Sequence, residues 1–184
     1  MQGRNYEVKN EYNKKNKTKE IVITALFTAL TFAATWLIDI KLPLPGSGGL
    51  IHLGNVPLFL AAAIYGRKTG AVAGAFGMGL FDLMSGWTLW APFTFLIVGL
   101  MGYTIGVFAE KKPFKADLLN YVIAFIIALI IKITGYYFAE VIILKNWITP
   151  FGSILGNVLQ IVFASIIVLI ILPQIKKISE KMEV

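Results

Sequence analysis

The chain contains no cysteine and a single histidine among its 184 residues. Without cysteine it has neither a disulfide framework nor a thiolate metal site, and a lone histidine with scattered carboxylates has no spacing typical of a metal centre. Charged residues make up only 15% of the chain, while hydrophobic residues make up 57% and the mean hydropathy is +0.74. A soluble domain has about a quarter charged residues, so this composition indicates a membrane protein.

Sequence motifs for nucleotide chemistry are also missing. The stretch Gly66-Arg-Lys-Thr69 lacks the upstream glycine and the loop of a phosphate-binding motif. Gly77 and Gly79 are followed by Asp82 where a dinucleotide fingerprint requires glycine. We therefore expect a protein that is not an enzyme, that does not hydrolyse ATP by itself, and that has no bound cofactor or metal.

The chain is instead rich in apolar runs of a length suited to helices that cross a bilayer. We predict an all-α integral membrane protein with six transmembrane helices in residues 19–176, between a polar N-terminal tail (1–18) and a C-terminal tail (177–184). The predicted spans are residues 21–40, 52–65, 69–84, 89–109, 118–144 and 151–172. The second run is short for a hydrocarbon core about 30 Å thick, so a re-entrant or interfacial segment is the alternative there.

The positions of the basic residues favour six spans. With a cytoplasmic N-terminus, most of the 17 Lys and Arg residues fall on the cytoplasmic side, while Lys41 and Lys145 lie outside and Lys132 lies within the fifth span. Cytoplasmic segments are enriched in Lys and Arg, so we predict that both termini are cytoplasmic. The net charge of +7 then reflects orientation in a lipid bilayer, and we expect no nucleic-acid partner.

Polar side chains within the predicted spans gather at one depth. Lys132, Tyr136 and Glu140 share one face of the fifth span, and Asn157 and Gln160 share one face of the sixth. Polar groups inside a membrane are costly and are therefore functional candidates. The candidates all lie in the outer half of the predicted bundle: His52, Asn55, Asp82, Trp87, Trp90, Lys132, Tyr136, Glu140, Asn157 and Gln160. This pattern predicts a pocket that is open to the outside, closed below, and suited to a small, flat, polar molecule.

Several of these residues also have a purely structural explanation. Trp87 and Trp90 are typical of the aromatic belt at a membrane interface. Lys132 and Glu140 could form a structural ion pair, and His52 could simply cap a loop. The common depth of all the candidates favours a binding site.

Small residues recur at four-residue spacing, which allows helices to approach closely in lipid. Ala25, Ala29 and Ala33 form such a row on the first span, whose other positions are bulky, and we predict that this row docks another membrane protein. For the glycine pairs we expect packing within the chain: Gly70 and Gly74, Gly102 and Gly106, and Gly152 and Gly156.

Residues 18–175 resemble the substrate-binding S component of an energy-coupling factor (ECF) vitamin transporter. The resemblance rests on this alanine row and on two further stretches. The first stretch, residues 51–66, reads IHLGNVPLFLAAAIYG; the second, residues 90–102, reads WAPFTFLIVGLMG. The first is similar to the start of the second span in S components grouped with riboflavin, pyridoxine and hydroxymethylpyrimidine uptake. Val98 stands where those proteins often have a lysine, so the resemblance does not assign that lysine's role to this chain.

The resemblance implies a transport mechanism in a prokaryotic plasma membrane, with a multi-pass protein that captures its vitamin on the outer side. Residues 41–51 would form a lid over the site. The alanine row would dock on a transmembrane coupling subunit that rests on two cytoplasmic ATPases, and ATP-driven rearrangement would topple the S component and release the vitamin inside. The tryptophans and neutral amides favour a pyridoxine or hydroxymethylpyrimidine type of ligand. Pantothenate, riboflavin, and a membrane scaffold protein without a ligand are the alternatives.

Overall fold

The computed structural model describes the backbone of residues 2–37, 40–41 and 50–182, and the side chains of residues 17–37 and 51–178. Within these residues the chain forms five helices and one pair of short strands. The elements are α1 (Gln2–Leu37), β1 (Ile40–Lys41), β2 (Leu50–Ile51), α2 (Asn55–Met84), α3 (Ala91–Lys111), α4 (Asp117–Leu144) and α5 (Phe151–Met182).

The strands β1 and β2 pair antiparallel, with Ile40 opposite Ile51. They stand at the two ends of the predicted lid, residues 41–51. Residues 42–49 of that lid lie outside the described residues. The strand pairing brings the ends of the segment together directly before His52, and β2 also packs against α5.

Helix α2 reverses direction at Gly66, whose backbone has φ +87° and ψ −175°. In a continuous helix residues 62 and 70 would be about 12 Å apart along the axis. Here a Cβ atom on Gly70 would lie 2.5 Å from the Cβ of Ala62, so the arms before and after Gly66 pack against each other. Positive φ values favour glycine because it has no Cβ atom.

The prediction of six transmembrane helices is wrong. The second and third predicted spans are the two arms of the single helix α2, since one glycine makes the reversal without a loop. The arm at 55–65 rises only about 16 Å and the arm at 67–84 about 27 Å, each short of a hydrocarbon core about 30 Å thick. Among the described residues, four helices are long and apolar enough to cross a membrane: Lys17–Leu37, Ala91–Lys111, Asp117–Leu144 and Phe151–Ile178. The prediction that both termini are cytoplasmic depended on six membrane crossings, so the structure no longer supports it by that count.

Helix α2 lies at the centre of the bundle and packs most extensively against α3, and also against α1 and α5. The contact with α3 brings the two backbones together, since a Cβ atom on Gly102 would lie 2.3 Å from the carbonyl oxygen of Gly70 and one on Gly106 would lie 2.2 Å from the backbone of Arg67. These glycines therefore pack within the chain, as predicted. Val98 is fully buried in the same core.

An acidic residue of α3 holds the reversal of α2 in place. The Glu110 carboxylate accepts a hydrogen bond from the backbone N–H of Arg67 at 2.8 Å and pairs with the Arg67 side chain at 3.3 Å. The connection between α3 and α4 lies at the same end of the bundle, where Lys112 pairs with Asp117 at 3.2 Å. The opposite end holds the predicted site residues.

Candidate functional site

A small cavity of about 60 Å³ lies between the second arm of α2, the start of α3, α4 and α5. We call it the polar cavity. Seven of the ten predicted ligand residues line it: His52, Asp82, Trp87, Trp90, Lys132, Tyr136 and Asn157. The structure thus brings together residues from five separate parts of the chain, and their role in binding stays a prediction.

The acidic side of the polar cavity is a short hydrogen-bonded chain. Thr94 is buried on α3, and its hydroxyl donates to the Asp82 carboxylate at 2.5 Å. The same hydroxyl lies 2.9 Å from the phenol oxygen of Tyr136. Thr94 is not among the ten predicted ligands, although its spacing from Trp87 and Trp90 places it on the same helix face.

The basic side of the polar cavity centres on Lys132, which is only 2% exposed. Its ammonium group donates to the side-chain oxygen of Gln160 at 2.6 Å, and the Asn55 amide donates to the same oxygen at 3.2 Å. Neither Asn55 nor Gln160 lines the cavity. Gln160 thus holds Lys132, Asn55 holds Gln160, and the role of both residues in ligand binding stays a prediction.

Glu140, the tenth candidate, is buried beside α5 and does not line the polar cavity. Its carboxylate accepts a hydrogen bond from Ser153 at 2.6 Å. Lys132 is bonded to Gln160, so Glu140 and Lys132 have different hydrogen-bond partners.

His52 closes the cavity next to the strand pair. Its Nδ1 accepts a hydrogen bond from the backbone N–H of Gly54 at 3.2 Å, so this residue does cap its loop while it lines the cavity. Burial lowers the pKa of His52 well below its ordinary value, and the nearby charge of Lys132 acts in the same direction. An Nδ1 atom that accepts a hydrogen bond carries no proton, so this geometry corresponds to the neutral imidazole with its proton on Nε2. Thr35 of α1 packs behind this turn, since a Cβ atom on Gly54 would lie 2.1 Å from its hydroxyl.

Two tryptophans and an amide complete the lining. The rings of Trp87 and Trp90 meet edge to face, with centroids 5.1 Å apart. Asn157 is 9% exposed, and among the described residues its side chain makes no hydrogen bond to the protein. The Asn157 amide can therefore both donate to and accept from a molecule in the cavity.

The alanine row lies on the surface of the bundle, away from the polar cavity. Ala25 and Ala29 are exposed and line an open, largely apolar groove of about 1040 Å³ between α1 and the second arm of α2, with Lys17, Glu20 and Lys68 also in its lining. We call it the α1–α2 groove. Ala33 is partly exposed and lines a second apolar depression further along α1. Docking at this surface stays a prediction.

No group of three or more potential metal ligands occurs among the described residues. The polar cavity combines aromatic rings, a neutral imidazole, a free amide and two opposite charges. Such a set of groups is suited to binding a polar ring.

Known proteins resemble the chain in sequence and in fold. The thiamine precursor transporter HmpT of Lactococcus lactis subsp. cremoris (strain MG1363) is 26% identical over 160 residues, which cover 86% of this chain and 89% of HmpT. The structure of an S component of a bacterial ECF transporter superposes with a TM-score of 0.68 at 17% identity, covering 88% of this chain and 98% of that one. The structure of ThiT from Listeria monocytogenes also gives a TM-score of 0.68, at 20% identity, and covers 88% of this chain and 97% of ThiT.

The family described as "ECF-type riboflavin transporter, S component" matches residues 15–177. The match agrees with the resemblance seen in the two stretches at residues 51–66 and 90–102. The apolar helices long enough to cross a membrane are those expected of a multi-pass membrane protein. The chain therefore belongs to the family of ECF-type transporter S components.

Proposed function

We propose that this S component captures a small planar vitamin or vitamin precursor, of the pyridoxine or hydroxymethylpyrimidine type, in the polar cavity. The observation that carries the proposal is the lining of that cavity, in which Trp87 and Trp90 offer aromatic surface and Asn157 offers an unbonded amide. Aromatic surface with a few polar groups is typical of sites for small ring compounds. The relative HmpT, named as a thiamine precursor transporter, supports a ligand of this size.

The volume of the cavity favours a single ring over riboflavin. At about 60 Å³ the cavity has room for about two water molecules, so any vitamin must displace side chains as it enters. A single heteroaromatic ring needs less displacement than the three fused rings and sugar-like chain of riboflavin. The partly exposed tryptophans at the start of α3 are the side chains placed to move.

The ligand enters from the extracellular side in this proposal. Basic residues are concentrated at the other end of the bundle: Arg67, Lys68, Lys111, Lys112, Lys115, Lys176 and Lys177. Membrane proteins place such residues on the cytoplasmic side. The polar cavity then faces outward, with His52, directly after β2, in its lining.

Mass spectrometry of small molecules released from the denatured, freshly purified protein tests the proposed ligand. We expect a pyridoxine-type or hydroxymethylpyrimidine-type compound, and we expect the same compound to quench tryptophan fluorescence when added back to ligand-free protein. Release of pantothenate or riboflavin would contradict the proposed ligand class. If no small molecule were released and none of these four compounds bound, a scaffold without a ligand would be favoured.

For transport, we propose that the S component docks through the α1–α2 groove on a transmembrane coupling subunit, which in turn rests on two cytoplasmic ATPases. The exposed Ala25 and Ala29 support this proposal, because small side chains on an exposed helix face leave room for a partner helix. The groove is also continuous along α1 and the second arm of α2, which is a surface long enough for a helix.

Ala29→Leu should therefore disrupt assembly with the coupling subunit, because a bulky side chain holds the helices apart. We expect the fraction of S component that copurifies with the coupling subunit and ATPases to fall at least severalfold, while ligand affinity of the isolated chain is retained. Thr134→Leu, which adds bulk at an exposed position of α4, is the matched control. Equal losses of assembly for both variants, or loss of ligand binding by Ala29→Leu, would contradict docking at this groove.

A further inference from the structure

Two opposite charges face the polar cavity from different helices. Asp82 reaches it from the second arm of α2, and Lys132 reaches it from α4. Among the described side chains these two residues do not form an ion pair with each other or with any other residue. Each instead has a neutral partner, Thr94 for the carboxylate at 2.5 Å and Gln160 for the ammonium at 2.6 Å.

The neutral partners hold the charges in place and leave most of their hydrogen-bonding capacity unused. An ammonium group has three N–H donors and a carboxylate has about four acceptor positions. Gln160 takes one donor of Lys132, and its oxygen is shared with Asn55. Thr94 takes one acceptor position of Asp82 and also contacts Tyr136. The remaining positions of both charged groups are available to a molecule in the cavity.

Lys132 is buried and Asp82 is partly buried, and charges removed from water without an ionic partner are costly and in membrane proteins mark functional sites. A direct contact between Asp82 and Lys132 would reduce that cost, but Thr94 and Gln160 hold the groups apart on two sides of the cavity. A ligand with a hydrogen-bond donor on one edge and an acceptor on another can bridge the two groups, donating to Asp82 and accepting from Lys132. The charges of Asp82 and Lys132 add to zero, so a ligand without net charge leaves the cavity with no net charge.

We propose that Asp82 and Lys132 select the substrate by charge: Asp82 accepts from one edge of the ring, Lys132 donates to another, and the site takes neutral or zwitterionic heteroaromatic rings in preference to their phosphate esters. This inference rests on the proposed function and deepens it. Gln160 and Asn55 are then positioning residues for Lys132 and do not contact the ligand. The vitamin is taken up in its free form, and a phosphorylating reaction inside the cell must follow wherever the active form is the ester.

The test compares dissociation constants for a free ring and its phosphate ester, using pyridoxine with pyridoxine 5′-phosphate and hydroxymethylpyrimidine with its phosphate monoester. For the wild-type protein we expect the free ring to bind at least about tenfold more tightly. Asp82→Asn leaves Lys132 unopposed, so the preference for the free ring should shrink by about fivefold or more, while Lys132→Gln should enlarge it. Opposite shifts in one ratio are the signature of charge selection.

A second variant lowers the net charge of the site by one, as Lys132→Gln does, without changing Asp82 or Lys132. Gln160→Glu places a carboxylate against Lys132, pairs with it, and should shift the ratio in the same direction as Lys132→Gln. Charge selection is overturned if one of the free rings binds but the ratio of the two dissociation constants is the same in the wild type, Asp82→Asn and Gln160→Glu. These residues would then serve only the fold. If the ester does not bind measurably to Asp82→Asn, charge selection is likewise overturned. If neither free ring binds the wild type, the proposed function fails, and this inference with it.

Discussion

Gly102→Ala is expected to lower the melting temperature of the detergent-solubilised protein by several degrees. The new Cβ atom would lie 2.3 Å from the carbonyl oxygen of Gly70 and 2.5 Å from its carbonyl carbon. Because both are backbone atoms, they cannot rotate away as a side chain could, and α2 and α3 must move apart. Overpacking of this kind costs about 1–3 kcal/mol, and separating the central helix pair puts the expected loss at the upper end.

Gly99→Ala is the matched control for this experiment. It adds the same methyl group to the same face of α3, one turn earlier, where the nearest atom is the Ala75 Cβ at 3.2 Å. We expect its melting temperature to stay close to that of the wild type. Equal melting temperatures for Gly102→Ala and Gly99→Ala would show that the backbone contact between α2 and α3 is not a determinant of stability.

Asn157→Ala is expected to weaken ligand binding by about five- to a hundredfold. The Asn157 amide lines the polar cavity and makes no hydrogen bond to the described protein, so its loss leaves polar groups of the ligand unpaired. Leaving a buried partner unsatisfied costs about 1–3 kcal/mol, and each 1.4 kcal/mol is about a factor of ten in the dissociation constant. Titration calorimetry or tryptophan quenching with the identified ligand measures the change.

The melting temperature of the ligand-free protein distinguishes a loss of binding from damage to the fold. Because Asn157 makes no hydrogen bond to the part of the chain that the structure describes, the ligand-free Asn157→Ala protein should melt at nearly the wild-type temperature. Ser165→Ala, two turns further along α5 at a buried hydroxyl without a partner, should leave affinity unchanged. Unchanged affinity in folded Asn157→Ala would place the ligand elsewhere.

The sequence was sufficient to predict which helix faces carry the polar residues, because that depends only on spacing. Lys132 and Tyr136 are one helical turn apart and do face the same cavity. Glu140, one turn further, lies on the same side of α4, yet it accepts a hydrogen bond from Ser153 and does not line the cavity. Periodicity fixes the direction of a side chain about its own helix axis, but the rotation and height of that helix relative to its neighbours depend on packing.

The same limit explains the two features that the sequence did not predict. The reversal of α2 depends on one glycine at positive φ and on Glu110, a residue more than forty positions later in the chain. The amides of Gln160 and Asn55 were recognised as polar groups inside the membrane, but the sequence did not show that the Gln160 oxygen accepts hydrogen bonds from both Lys132 and Asn55. In both cases the decisive contact joins residues that no local pattern connects.

The α1–α2 groove also has a consequence for the protein before any partner arrives. Its walls are largely apolar and open to the side of α1, whose residues Ile21, Leu26 and Leu30 are exposed. A bilayer leaves no such space empty, so we expect acyl chains to fill the groove in the free S component. Lipid tails are as apolar as leucine side chains, so the proposed docking would replace lipid with a partner helix of similar polarity. The gain in free energy would then come from closer packing and from the freedom of the released lipids, and we expect the strength of assembly to depend on the composition of the membrane.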